Sequence, residues 1–342
     1  MKNKKFSKII KWFVGITFLI AGISVAIFVN YRNQNPSRKG MVTIGISRWG
    51  SNPEYERCLD GFMEGLAEHG YIAGKNVRYV IKNPEADKEE QRRIIESFIK
   101  DKVDLIFSLT TPGTLIAKEL TGRMKQPIPV VFSICTYPVE SGLIKSLESS
   151  GNNLVGTRNY VPPSKQYLAF EELYPDTKFL AVVRRKGEPN STNQFTEISS
   201  LLERRGIKIV DIAVVDLEDM YKQLQENIDR VDALFSTCDT LVHGGGEEII
   251  NEFSSKYKKP NFSCNKDGVL KGALVGNIGD FKTIGRISGE KAVLILQGSD
   301  PSWLHTESPR EDYIIVNKKT ADMLGITIPE EFLKTASEII SK

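Results

Sequence analysis

The stretch Val103-Asp104-Leu105-Ile106-Phe107-Ser108, followed by Leu109-Thr110-Thr111-Pro112-Gly113-Thr114, decides the fold, because the chain writes nearly the same sentence twice. The second copy is Val231-Asp232-Ala233-Leu234-Phe235-Ser236, followed by Thr237-Cys238-Asp239-Thr240. A short apolar run without polar alternation reads as a strand buried on both faces. In both copies hydroxyl residues follow it directly, at the strand end where an α/β sheet offers groups to a ligand.

The echo extends upstream. Before the first copy lie a helix ending Gly65-Leu66-Ala67-Glu68-His69-Gly70, a strand from Val77 to Ile81 and a charged amphipathic helix from about Asp87 to Lys102. Before the second lie Leu201-Leu202-Glu203-Arg204-Arg205-Gly206, a strand from Ile207 to Val214 and a helix from about Leu217 to Arg230. After each copy come a helix and a strand introduced by proline, Pro129 to Ser133 and Pro260 to Ser263. A unit this long predicts two similar doubly wound parallel-sheet lobes rather than a solenoid. The segments from Gly268 onward have no counterpart in the repeat and read as crossings between lobes, a multi-strand hinge. Lobe 1 is expected over residues 41–158 plus about 280–310, and lobe 2 over 159–279 plus about 311–342. A helix is expected near Glu140 to Leu147, and an amphipathic C-terminal helix opening at Ile328-Pro329-Glu330-Glu331.

The N-terminus is of a different kind. Lys2, Lys4, Lys5, Lys8 and Lys11 precede an apolar run from Trp12 to Val29, an arrangement that holds the N-terminus in the cytoplasm and sends the rest of the chain across the membrane. The chain reads as exported, to the periplasm or the outer face of the cell membrane. An uncleaved anchor over residues 12–29 is the preferred reading, since the apolar run continues past the small-x-small site Ser24-Val25-Ala26; cleavage there is the alternative. Asn30 to Gly40 reads as a tether. The 46 basic residues include eight in Met1–Gly40, which holds no acid; that leaves 38 against 43 acidic in the body, and gives no footprint for nucleic acid.

Cys58, Cys135, Cys238 and Cys264 form no C-x-x-C pair, and His69, His243 and His305 fall at no metal-ligand spacing, so no metal or other cofactor is expected. Buried free thiols are the preferred reading of the cysteines, with Cys238–Cys264 the pair to consider for a disulfide. No G-x-S-x-G, Rossmann fingerprint or paired histidine points to an enzyme. His243-Gly244-Gly245-Gly246 resembles a phosphate loop without its lysine and reads as a flexible helix start.

Candidate ligand contacts are set by position at strand ends. From lobe 1 these are Trp49, as a stacking surface or a lid, then Thr110 and Thr111, which also suit helix capping, then Thr136, Tyr137 and Arg158. From lobe 2 they are Arg184, Asn190, Ser191 and Asp239, the last suited to an ammonium group or to an N-cap.

Several blocks in order, Gly61-Phe62 with Gly65-Leu66, Gly70-Tyr71 with Gly74-Lys75-Asn76-Val77, Pro138-Val139 with Gly142 to Leu147, and Leu324 to Pro329, resemble the tryptophan/tyrosine-type substrate-binding proteins of ABC transporters. That resemblance implies a periplasmic-binding-protein type I fold, capture of an amino-acid-like or carboxylate solute between the lobes, and partnership of a monomer with a permease and its ATPase. It implies that the Thr111 loop holds the ligand carboxylate and Asp239 lies near the amino group. Tyr137, Arg158-Asn159 and Arg184 depart from the family pattern, which leads to the expectation of a more basic cleft and a ligand with an extra carboxylate. A membrane-anchored sensor presenting the same domain to a receptor is the alternative role.

Overall fold

The computed structural model describes residues 40–309 and 311–341. The anchor expected over residues 12–29 lies outside them. Among the described residues no helix is long and apolar enough to cross a membrane.

The first lobe runs β1 (Val42–Ser47), α1 (Pro53–Glu68), β2 (Val77–Lys82), α2 (Lys88–Lys100), β3 (Leu105–Leu109), α3 (Thr111–Thr121), β4 (Val130–Ser133) and β5 (Leu154–Thr157). Its sheet is wholly parallel with order β2-β1-β3-β4-β5. The second lobe holds α4 (Pro163–Glu171), β6 (Phe179–Arg185), α5 (Pro189–Arg204), β7 (Lys208–Val214), α6 (Leu217–Asn227), β8 (Ala233–Ser236), α7 (Glu247–Tyr257), β9 (Asn261–Phe262), α8 (Lys266–Leu270) and β10 (Val275–Ile278). Its strands β7-β6-β8-β9-β10 repeat the order of the first sheet, and the antiparallel β11 (Tyr313–Asn317) and short β12 (Glu338–Ile340) extend it. This is the two-lobed parallel α/β architecture that the repeat predicted.

The repeated sentence does the same physical job twice. Asp104 Oδ2 accepts the Thr43 N–H at 2.7 Å, and Asp232 Oδ2 accepts those of Lys178 and Phe179 at 2.9 and 2.8 Å. Each aspartate thus ties the start of β1 or β6 to its neighbour and satisfies N–H groups the ladder leaves open. Two residues into each strand, Phe107 stacks on Phe62 with ring centres 3.9 Å apart, and Phe235 on Phe262 at 4.3 Å. Both pairs sit fully buried in the centre of their lobe's core.

Three expectations need correcting. The repeat extends one strand further than read, since β10 is the counterpart of β5. Residues 140–147 form turns, not a helix: Gly142 takes φ +70°, and the Leu143 N–H turns back to the Pro138 carbonyl. Beyond α10 (Lys318–Leu324) the C-terminal helix is only α11 (Glu330–Thr335), after which Ser337 enters the sheet edge and β12 follows.

Crossings between the lobes come after β5 and β10, and a third returns to the second lobe ahead of β11. After β10 the chain enters α9 (Phe281–Leu296), which packs along α1 of the first lobe. Glycines make that contact. A Cβ on Gly61 would lie 2.0 Å from the Lys282 carbonyl oxygen, and one on Gly285 would lie 1.9 Å from that of Cys58. Gly65 and Gly289, one turn on, meet backbone at 2.4 and 2.5 Å. Two Gly-x-x-x-Gly faces therefore cross backbone to backbone and clamp the crossing helix to lobe 1.

Candidate ligand-binding site

The carboxyl ends of both sheets face each other, and the lobes touch. Thr111 Oγ1 donates to Asn190 Oδ1 at 3.2 Å, and Asn52 Nδ2 to the His243 carbonyl at 2.8 Å, each bond crossing the cleft. Two strand exits on the lobe 1 side carry bulky residues in the left-handed region, Trp49 at φ +69° and Ile134 at φ +57°, strain of the kind found where backbone is shaped for a ligand.

A central cavity of about 10 Å³ lies on the seam. Thr110 and Thr136 line it from lobe 1, and Asn190 and Asp239 from lobe 2, so four of the sequence candidates meet there. Tyr55, Asn159 and Glu188 line it too. On the far side of the Thr111–Asn190 bond a wider cleft of about 340 Å³ is bounded by Trp49, Thr111 and Leu115 of lobe 1 and by Arg185, Lys186 and Glu188 of lobe 2. Glu188 lines both spaces. A larger groove of about 630 Å³ lies beside the hinge, but its charged lining is occupied by ion pairs such as Arg286–Glu290, Lys165–Asp312 and Lys291–Glu307, so the seam holds the free polar groups.

Neither threonine acts as the cap that the sequence suggested. Thr110 sits at the N-cap position of α3, yet its side chain makes no capping bond, and its Oγ1 is buried without a partner. Thr111 Oγ1 reaches across the seam instead. The N-terminal N–H groups and dipole of α3 therefore face the seam uncapped by a side chain, an arrangement that suits a carboxylate. Trp49 is 3% exposed, packed against Gly113 at the start of α3, with its indole Nε1 unpartnered.

Asp239 is fully engaged by its own lobe. Oδ1 accepts the N–H groups of Leu241 and Val242 at 3.0 and 2.9 Å, and Oδ2 accepts the Arg185 N–H and the Thr237 hydroxyl, both at 2.8 Å. The capping reading holds in geometry, since the carboxylate closes the turn after β8, and the residue also lines the cavity. Beneath it a relay from the Cys238 N–H through Gln194 and Gln166 to the Asn277 carbonyl, with steps of 2.7, 2.8 and 3.2 Å, fixes the loop on α5, α4 and β10.

The remaining candidates lie elsewhere. Arg158 Nε donates to Ser308 Oγ at 2.7 Å and its guanidinium lies 4.2 Å over the Tyr160 ring, so it pins two hinge crossings. Arg184 forms a paired bond to Asp211 of β7, at 2.7 and 2.8 Å, over the Phe195 ring. Neither arginine lines the cavity or the wider cleft, whose basic residues are Lys88, Arg185 and Lys186 instead. Ser191 Oγ bonds the Arg185 and Glu188 carbonyls and holds the loop, not the seam. Tyr137 is buried beside Tyr160, edge-on at 5.6 Å. All four cysteines are free and buried; Cys238 lines the cavity, and Cys264 Sγ lies 3.5 Å from His243 Nε2.

Sequence reasoning missed Glu188 as a contact, although an acid directly before a helix-opening proline at a strand exit was signal enough. Burial pushes its carboxyl up to about 7, with the charge of Asp239 acting in the same direction. Burial likewise pushes Glu54 and Glu247 up to about 7, and holds His243 down to about 4. A carboxyl whose folded pKa exceeds its unfolded value takes up its proton first in the folded state, so stability grows as pH falls through that range. The unfolding midpoint is expected to rise between pH 8 and pH 6.5. Below 6.5 His243 works in the opposite sense, since only the unfolded chain protonates it. A midpoint that falls steadily from pH 8 to 6.5 in scanning calorimetry would contradict this.

Two similar parallel α/β lobes, closed on a polar seam and joined by three crossings, are the periplasmic-binding-protein type I architecture. Residues 43–340 match the model of the ABC transporter substrate binding protein family, and the chain belongs to that family. It is 28% identical to a tyrosine-binding protein of Clostridioides difficile over 329 residues, covering 95% of this chain and 94% of that one. Among solved structures it is similar to an ABC domain in complex with L-Trp from Streptococcus pneumonia, with 26% identity, TM-score 0.82, 88% of this chain and all of that one. A ligand-free, open substrate-binding protein with adhesive properties from Clostridium difficile gives TM-score 0.70 at the same identity and coverage.

Proposed function

We propose that the protein is the extracytoplasmic receptor of an ABC importer, held at the membrane by residues 12–29, which closes on an aromatic amino acid and presents it to a permease and its ATPase. Lobe 1 is residues 41–158 plus about 280–310, and lobe 2 the rest of the body. The uncapped N-terminus of α3, with Thr110 and Thr111, takes the carboxylate, and Thr136 assists. The acidic wall of Glu188 and Asp239 takes the ammonium, and Tyr55 and Trp49 flank the ring. Closure is a hinge motion driven by contacts that exist only when both lobes meet the ligand.

The observation that carries this reading is the opposition on one seam of an open helix N-terminus bearing an unpartnered buried hydroxyl, and a buried carboxylate pair. That is the charge pattern of a zwitterion. The names of the relatives support an aromatic side chain. A thermal-shift series on the soluble body, from Met41 onward, tests it. At a hundred times its dissociation constant, L-tyrosine or L-tryptophan is expected to add about 2.7 kcal/mol of stability and raise the midpoint by roughly 4 °C. A response to dicarboxylates alone overturns the ligand class, and silence with every amino acid overturns the reading.

A further inference from the structure

We propose that Glu188 is the carboxylate that faces the ligand's ammonium group, and that closure of the cleft on such a ligand releases one proton from the Glu188–Asp239 pair. The inference rests on the zwitterion reading above and adds to it which acid does the work and what binding does to protons.

The hydrogen-bond count separates the two acids. Asp239 has two donors on each oxygen, all four from lobe 2, and is 1% exposed; it has no direction left in which to accept from a ligand. The hydrogen bonds that Glu188 accepts come from Thr240, whose N–H lies 3.1 Å from Oε1 and 3.3 Å from Oε2 and whose hydroxyl lies 2.6 Å from Oε2. Its Oε1 keeps a free lone pair, and the residue lines both the central cavity and the wider cleft.

The charges around the pair do not balance. Arg185 Nη1 stands 3.6 Å from Glu188 Oε2 and also donates to the Thr240 hydroxyl, but its side chain is more than a third exposed and shares its charge with water. From lobe 1 the pair meets Tyr55 of α1, and Thr110, Thr136 and Asn159 at the strand ends, all uncharged. From lobe 2 it meets Cys238, Cys264 and His243, with burial keeping the imidazole neutral near pH 7, and on the Asp239 side Glu247, a third buried carboxyl that accepts from Ser236 and Ser263 and adds no compensating positive charge. Two buried carboxylates thus share one partly solvated cation, and neighbouring acids in that position hold a proton between them. Burial raises the carboxyl of Asp239 above its ordinary range as well, while its backbone N–H donors draw it back, so Glu188 is the proton's seat. An ammonium group set against Oε1 supplies the missing charge, and the proton leaves to solvent.

Titration calorimetry of L-tryptophan and L-tyrosine into the protein, in buffers of small and large ionisation enthalpy, reads this directly. The expected release approaches one proton per ligand in mildly acid solution and falls toward none at pH 8, with affinity weakening as the pH falls below 7. Glu188→Gln is expected to abolish both the release and the pH dependence while weakening binding at pH 8. Binding without proton release in the wild-type protein overturns the coupling and leaves the transport reading standing; no binding of either amino acid overturns both. Release that persists in Glu188→Gln removes Glu188 from the role. The wild-type proton count is decisive whether or not the variant folds.

Discussion

Gly285→Ala is expected to destabilise the ligand-free protein by about 3 kcal/mol, the upper end of what overpacking a core costs, and to lower the unfolding midpoint accordingly. The added methyl would stand 1.9 Å from the Cys58 carbonyl oxygen, a backbone atom inside a helix, so no rotamer change relieves the overlap. The helices α1 and α9 have to separate, and the backbone approach that joins Gly61 and Gly65 to Gly285 and Gly289 is lost along its length. Gly244→Ala is the control: nothing lies within 4 Å of its added carbon, its φ is −89°, and the change is expected within about 0.5 kcal/mol. Equal midpoints for the two variants in thermal unfolding would show that the helix clamp contributes nothing to stability. A second consequence concerns closure. Because α9 leads out of β10 of the second lobe and is held on α1 of the first, a loosened clamp also loosens the frame against which the lobes close.

That clamp shows where the sequence was legible and where it was not. The repeat was visible because its physical causes are local: an aspartate before each strand, a phenylalanine inside it, hydroxyls after it. Asp104 and Asp232 tie strand starts, and Phe107 and Phe235 stack in the two cores, so the same residue types recur at the same offsets. The glycines of α1 stood in plain view as part of a family pattern, but Gly285 and Gly289 lie more than two hundred residues away, and nothing local says which helix faces which. A strand was legible at Ala273-Leu274-Val275, but its extent to Ile278 and its place in the repeat as the counterpart of β5 escaped for a related reason. Val275-Gly276-Asn277-Ile278 lacks the run of branched residues that marks the other central strands, and its glycine and asparagine are tolerated only because β9 and β11 flank it.

The site divides along the same line. Position after a strand located the seam, and Thr110, Thr136, Asn190 and Asp239 do line one cavity. Position cannot aim a long side chain. Arg158 and Arg184 occupy strand ends as read, but each finds a closer partner, Ser308 with Tyr160 in one case and Asp211 with Phe195 in the other, that lies off the seam and comes from a part of the chain that the repeat does not describe or from a neighbouring element. A strand-end position therefore names the wrong basic residues: Arg184 turns to Asp211, while its neighbours Arg185 and Lys186 line the wider cleft.

Asp239→Ala is expected to cost about 3 kcal/mol of stability in the absence of any ligand, a larger effect on folding than on recognition. The N–H groups of Arg185, Leu241 and Val242 all end on this carboxylate, and removal of the acceptor leaves them buried with nothing to bond, beyond the loss of a helix cap worth about 1 kcal/mol. The Thr237 hydroxyl loses its acceptor as well. Since Arg185 opens the loop that carries Glu188 and Asn190, the ligand wall loses its frame, and affinity for an aromatic amino acid is expected to fall at least tenfold as a consequence. Glu188→Gln runs the other way: it removes a charge that burial disfavours, so at pH 8 its midpoint is expected to be unchanged or raised while affinity falls. Urea unfolding of the two ligand-free variants beside their titrations separates the cases. If Asp239→Ala unfolds at the wild-type denaturant midpoint and loses only affinity, Asp239 is itself the ligand's ammonium acceptor, and the division of labour between the two acids is reversed.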